Sequence, residues 1–154
     1  VPVTEDDLRA CCASRAWLAA VRGAGPAELR TASARALDGL DWAGVAEALA
    51  AHPRIGDRVR GGGRGPAWSR GEQSGADGAP AEVRDALIEG NRAYEERFGH
   101  VFLICATGLS AAEMLAALRE RLGNDPEAER AVVRRELAGI VDLRLAKLMG
   151  ERHD

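Results

Sequence analysis

The chain has 154 residues, enough for one domain that buries roughly two-thirds of its unfolded surface. Its make-up, 46% hydrophobic and 29% charged, is that of an ordinary soluble domain. A net charge of −3 gives no electrostatic reason to expect nucleic acid or an anionic membrane as a partner, and no apolar run approaches membrane-spanning length.

The elements follow in order. Thr4, with acids at Glu5, Asp6 and Asp7, caps a first helix whose apolar positions are Leu8, Cys11, Cys12, Trp17, Leu18 and Val21. Gly23 and Gly25 end it. Pro26 suits the first turn of a second helix, with Leu29, Ala32, Ala36, Leu37 and Leu40 as its stripe. Asp41 caps a third helix that stops at His52-Pro53, because the residue before a proline is pushed out of the helical region. From Arg54 to about Ala79 periodicity fades and glycine accumulates, which predicts a long functional loop, flexible over about residues 57–67. A fourth helix runs from Pro80 to Phe98 on Val83, Leu87, Ile88, Asn91 and Tyr94, and Gly99 ends it. Val101 to Ala106 is a short apolar run with no partner strand elsewhere, so it reads as buried extended or loosely helical chain. Ser110 and Glu113 form a capping box for a fifth helix through Leu122. Asp125-Pro126 opens a sixth, reaching about Met149. The expected architecture is therefore all-α: a single compact helical domain over residues 1–154, with about six main helices and a long glycine-rich active-site loop.

Cysteine usage narrows the setting. Cys11, Cys12 and Cys105 cannot build a disulfide framework, and their spacing matches no zinc site. Buried, reduced thiols in a cytoplasmic protein are the reading. The N-terminus shows no signal peptide. Lys147 is the only lysine among 21 basic residues, the arginine bias of a GC-rich bacterial genome.

Some residues fit a plain helical domain poorly. In the sixth helix Arg144 lies four residues after Ile140 and four before Leu148, on the apolar stripe. Such a guanidinium snorkels outwards, pairs with an internal acid, or receives a ligand's anionic group. His52 stands at a helix end, where the negative end of the dipole favours the imidazolium. That suits a proton donor, and equally an ordinary capping or solvated histidine. Glu72-Gln73 is either loop polarity or an acceptor and a two-way amide set to read a small polar ligand. Gly61 to Gly65 lacks the strand and lysine of a phosphate-binding loop, and Cys12 has no activating histidine nearby in sequence.

Five stretches occur together: Cys11-Cys12-Ala13-Ser14-Arg15-Ala16-Trp17, then Ala50-Ala51-His52-Pro53-Arg54-Ile55-Gly56-Asp57, Ser69-Arg70-Gly71-Glu72-Gln73, Asn91 to Gly99, and Phe102 to Ala106. With the arginine of Leu143-Arg144-Leu145, they resemble in order the 2-oxo-4-hydroxy-4-carboxy-5-ureidoimidazoline (OHCU) decarboxylases of urate breakdown. The resemblance implies an enzyme that uses no cofactor and no metal and converts OHCU to (S)-allantoin and carbon dioxide. It implies His52 as proton donor, Glu72 acting with it, and Arg144 holding an anionic group. Pro53, Ser69, Gln73, Ile104, Cys105, Ala106, Thr107 and Gly108 would bind substrate. It also implies a cytoplasmic homodimer. One departure is Thr107-Gly108, where family members often carry a charged or amide-bearing residue. The competing expectation is a non-catalytic helical module that binds a ureide or purine-like ligand.

Overall fold

The computed structural model describes residues 3–54 and 64–153, with all their side chains except those of 64–66 and 151–153. Among these the regular elements are helices alone: α1 (Glu5–Cys11), α2 (Arg15–Val21), α3 (Leu29–Gly39), α4 (Trp42–Leu49), α5 (Arg64–Glu72), a 3₁₀ turn (Ser74–Ala76), α6 (Ala81–Phe98), α7 (Ala111–Arg121) and α8 (Pro126–His153). The all-α expectation is met, with eight α-helices rather than about six among the described residues. By its contacts the chain divides into two compact units, Val1–Ala51 with Arg134–Asp154, and His52–Val133.

One extra helix comes from a break in the first unit. Thr4 and Asp7 make the expected capping box of α1, but Cys12 is fully extended. Ser14 then starts α2 afresh, its Oγ accepting the Trp17 N–H at 3.3 Å. Both halves still bury their apolar residues (Leu8 and Cys11; Trp17, Leu18 and Val21), which is why one stripe in sequence reads as one helix. Trp17 donates through Nε1 to Ser33 of α3 at 3.0 Å, so the indole's polar edge is satisfied inside the core. Arg30 of α3 pairs with Asp142 of α8 (Nε to Oδ1 2.7 Å) at an exposed site. Asp41 caps α4 as expected, accepting from Gly44 N–H at 2.8 Å. The helix itself ends at Leu49, before the His52-Pro53 pair, and Ala51 N–H closes one more turn onto Ala48.

Burial pushes the Cys12 thiol up to about 11, against the downward pull of the Ser14 N–H and the Arg144 guanidinium. It is a neutral thiol at neutral pH. That makes it a poor nucleophile.

The second unit is built around a carboxylate. Glu129, near the start of α8, is wholly buried. It accepts from Arg121 of α7 through Nε (2.9 Å) and Nη2 (2.6 Å), from the Tyr94 hydroxyl of α6, and from Asn124 Nδ2 at 3.1 Å. Arg121 also donates through Nη1 to the Leu103 carbonyl at 2.7 Å, and its guanidinium lies over the Phe102 ring, 4.5 Å from the centroid. Around these groups pack Leu87, Phe102, Ile104, Ala106, Met114, Leu115 and Leu118. Burial, followed by the Glu129 carboxylate, pushes the Tyr94 phenol far above its ordinary value, so it stays a donor. Gly90 lets α6 and α7 approach closely: a Cβ there would stand 2.4 Å from Leu118 Cδ2. The run 101–106 adopts neither helix nor strand, as expected of a buried extended segment. Ile88, read as part of the α6 stripe, is instead exposed.

Glu129→Gln strips the counter-charge from a buried guanidinium and should cost about 3 kcal/mol, in the range for a broken buried pair. Asp142→Asn, at the exposed Arg30 pair, should barely move the urea midpoint measured alongside it. For Cys12, the folded protein keeps a proton that the unfolded chain releases between the thiol's ordinary value of 9.0 and about 11. Its contribution is complete below pH 9 and is lost as pH rises through that window. Tyr94, with its raised phenol, contributes a loss of the same sign above pH 10 in any variant that keeps it. Urea unfolding at pH 9 and 11 should therefore show Cys12→Ala losing roughly 2 kcal/mol less than the parent.

Candidate active site

His52 and Pro53 are half-buried in the turn beyond α4, and both belong to the second unit. Arg54, next in line, is clamped to α6: its Nε and Nη2 donate to the two oxygens of Glu95 at 2.8 and 2.9 Å. This bidentate pair fixes the chain immediately after His52 against the helix. Beside it lies a groove of about 520 Å³ lined by Arg54, Ile88, Asn91, Arg92, Glu95 and Glu96. His52 stands three residues past the last residue of α4, so the helix dipole is a weaker support for its charge than the sequence suggested. Residues 55–63, which carry part of the expected flexible loop, lie outside the described residues.

The rest of that expected loop is corrected. Residues 64–72 form α5, and Ser74–Ala76 the 3₁₀ turn. Pro66 falls in the first helical turn, where a missing N–H breaks no bond. Glycines at 65 and 71 disfavour the helix by about 1 kcal/mol each, yet Trp68 is buried and the helix forms around it. Trp68 and Glu72 stand at i and i+4 and Ser69 and Glu72 at i and i+3, and Gln73 follows just past the end of α5. Gln73 N–H closes onto the Ser69 carbonyl at 3.1 Å. Ser69, Glu72 and Gln73 are all buried, while Arg70 and Gly71 face outwards. Of the polar residues read as substrate-facing, Ser69 and Glu72 thus share a side of α5, and buried Gln73 stands at its end.

The second predicted lining segment meets this one. A Cβ on Gly75 would stand 1.7 Å from the Leu109 carbonyl oxygen, so only glycine lets the 3₁₀ turn lie against the 106–109 turn. Ile104 and Ala106 are buried, Cys105 is half-buried, and Thr107 and Gly108 are exposed. Leu109 N–H donates to the Ala106 carbonyl at 2.9 Å with Gly108 at φ +82°, the pattern of a type II turn. Gly108 therefore meets a backbone requirement, which accounts for the unusual Thr107-Gly108 pair without a ligand.

Arg144 belongs to the first unit. It is buried on the α8 stripe with Ile140, Val141, Leu145 and Leu148, as its spacing predicts. Nη1 donates to the Ala10 carbonyl at 3.0 Å. Ala10 lies in the last turn of α1, where carbonyls lack helical donors and the dipole is negative. The Ala10 carbonyl is thus one partner of this guanidinium inside the first unit.

Sequence reasoning missed Glu129 and Arg121. Both were detectable by the rule that picks out Arg144: Glu129 lies four residues before Val133 on the α8 stripe, and Arg121 three after Leu118 on that of α7. Among the described residues no group of three His, Cys, Asp or Glu is arranged to hold a metal ion, and no helix is long and apolar enough to cross a membrane.

The sequence model for OHCU decarboxylase matches residues 4–146. The uric acid degradation bifunctional protein TTL of Arabidopsis thaliana is 34% identical over 160 residues, spanning 97% of this chain and 48% of the plant protein. The 2-oxo-4-hydroxy-4-carboxy-5-ureidoimidazoline decarboxylase of Amia calva is 37% identical over 115 residues, 73% of this chain and 66% of its own. The chain thus spans about half of one of these relatives and just under two-thirds of the other. A crystal structure of OHCU decarboxylase in the presence of (S)-allantoin superposes with a TM-score of 0.82 at 32% identity, covering 96% of this chain and 99% of that one. An (S)-allantoin synthase shares the fold (TM-score 0.65, 18% identity, 93% of this chain and 48% of that one). With the family pattern matched along 4–146 and the fold shared almost end to end, this chain belongs to the OHCU decarboxylase family.

Proposed function

We propose that the chain decarboxylates OHCU to (S)-allantoin and carbon dioxide without a cofactor. The observation that carries this is the buried polar face of α5. A carboxylate and an amide, Glu72 and Gln73, are held nearly out of solvent on a segment packed against the 106–109 turn. An acceptor carboxylate beside a two-way amide can read the hydroxyl and ureido edges of a small polar ligand.

The chemistry suits these residue types. The carbon that loses carbon dioxide also bears a hydroxyl and adjoins a C=N carbon. When its bond to the carboxylate breaks, the electron pair forms a carbon–carbon double bond, and the π pair of C=N moves to nitrogen, which takes a proton. The hydroxyl then gives up its proton to become a carbonyl, and the carbon bearing the ureido group gains one on a single face. The substrate is its own electron sink. What remains for the protein is alignment and stereospecific proton delivery. In this proposal His52 delivers the proton, and Glu72 accepts the hydroxyl proton or orients the imidazole. Pro53, Ser69, Gln73 and the backbone from Ile104 through Cys105, Ala106 and Thr107 to Gly108 hold the ring and ureido amides.

Arg144 is proposed to meet an anionic group of the substrate at one edge. A full grip on the departing carboxylate would stabilise the ground state and slow the reaction. The Nη1 bond to Ala10, which already holds part of the fork, supports the lighter contact. The family likeness alone supports a homodimer working in the cytoplasm.

The test generates OHCU in situ from urate with the two preceding enzymes and follows allantoin by circular dichroism. One enantiomer should appear faster than the spontaneous rate; racemic allantoin at that rate overturns the proposal. His52→Gln should lower kcat by about 10²–10⁴, the range for a lost general acid. Unchanged turnover would remove His52 from the proton step, and binding of OHCU without turnover by the parent would favour the non-catalytic module. Arg144→Lys, a point charge in place of a planar fork, should lower kcat/KM by about tenfold or more with the fold retained.

A further inference from the structure

We propose that Arg121 is a positioning residue for the substrate-facing backbone of residues 104–108, with Glu129 as its anchor. The inference rests on the decarboxylase reading for what that backbone faces, and on geometry for how it is held.

Residues 101–106 have no helix or strand to satisfy their main-chain groups, so each buried carbonyl needs a partner from outside the segment. Arg121 provides one at the last position before the lining residues begin, donating Nη1 to the Leu103 carbonyl at 2.7 Å. The same guanidinium covers the Phe102 ring at 4.5 Å. It therefore grips two consecutive residues, one by its edge and one by its face. Its other nitrogens, Nε and Nη2, are fixed on Glu129 at 2.9 and 2.6 Å, and the Tyr94 hydroxyl holds the same carboxylate oxygen. All three guanidinium nitrogens are thus engaged.

Packing alone does not account for this choice. Arg121 continues a stripe of Met114 and Leu118, where a leucine would fill the space and would need no buried counter-charge. What leucine cannot do is hold a main-chain carbonyl at a set height above the core. The far end of the segment is pinned separately, by the 106–109 turn against Gly75. Ile104 to Gly108 thus hang between two fixed points, with Gln73 one residue before the 3₁₀ turn that supplies the second. Backbone donors aimed at a ligand need this kind of support, because small displacements lose their alignment.

Cys105 is a native reporter of the segment, and buried Cys11 and Cys12 are internal controls in the other unit. In Arg121→Lys the ammonium can still neutralise Glu129 but cannot also reach Leu103. In Arg121→Gln/Glu129→Gln no charge is buried, and the shorter amide at 121 falls short of that carbonyl, so this pair covers the case in which the lysine variant fails to fold. In either folded variant, alkylation of Cys105 by a maleimide should speed up about fivefold or more as the segment opens locally, with Cys11 and Cys12 unchanged. KM for OHCU should rise about tenfold and the enantiomeric excess of allantoin should fall. Parental Cys105 reactivity, KM and enantiomeric excess in a folded variant overturn the proposal. So does acceleration of all three cysteines together, which marks a general loss of stability. If the parent itself does not turn over OHCU, the decarboxylase reading fails, while the Cys105 rates still decide whether Arg121 holds the segment.

Discussion

The second unit depends on how a single buried carboxylate is neutralised. An ion of this size taken out of water is penalised by several kcal/mol, and attraction to a partner offsets that only when the geometry is good and the remaining lone pairs are used. Glu129 meets both conditions, with Arg121 on one oxygen, Tyr94 on the same one and Asn124 on the other. Each donor comes from a different place along the chain: α6, α7 and the connection into α8. The carboxylate is therefore the point where these helices acquire fixed relative positions. Arg97 strengthens the arrangement by donating to the Asn124 carbonyl at 2.6 Å, which holds the connection from outside. Apolar packing around Phe102, Met114 and Leu118 supplies bulk burial, but it tolerates sliding; the directional bonds to Glu129 do not.

Helix ends were the most legible part of the fold. Thr4 with Asp7, Asp41, Ser110 with Glu113, and Asp125 all cap where the sequence says they should, because each acts through bonds within four residues of itself. Gly99 ends α6 in the left-handed conformation for the same local reason. The helix α5 was not legible, and the cause is energetic. Its glycines lower its intrinsic helicity by about 1 kcal/mol each, and nine residues are too few for a helix that stands on its own. An indole such as Trp68 removes roughly 150–250 Å² from water when buried, worth several kcal/mol at about 25 cal/mol/Å² even as an upper estimate. Tertiary burial outweighs local propensity there. No window read along the sequence contains the surface that Trp68 meets.

The site residues divide in the same way. Ser69, Glu72 and Gln73 were singled out by type and by family likeness, but Ser69 and Glu72 come to one side, with Gln73 beside them, only once α5 is a helix. Arg144 was found by spacing alone, because an arginine on an apolar stripe is visible in any helical register. Its partner was not, since the Ala10 carbonyl is available only where α1 breaks at Cys12, and that break was read through as continuous helix. Glu129 and Arg121 obey the spacing rule equally well. They escaped because an acid near a helix start and a base near a helix end already have a sufficient explanation in the helix dipole.

A decarboxylation in which the substrate stores its own electrons places an unusual demand on a protein. In the proposed reaction there is no metal or cofactor chemistry to adjust, and tight binding of the departing carboxylate works against it. What distinguishes a competent site from a mere ureide pocket is the accuracy with which amide donors and one proton source are held about the ring. Accuracy of that order comes from elements with few alternative positions. The 104–108 segment is irregular, which would ordinarily make it soft, yet it is tied before its first residue through Leu103 and beyond its last at Leu109. An irregular backbone with both ends fixed turns its amides towards a ligand at angles that a helix or strand, with those groups already bonded to its own neighbours, cannot offer. On the positioning role proposed for Arg121, the buried ion pair is the support that lets this unit leave part of its main chain outside regular structure.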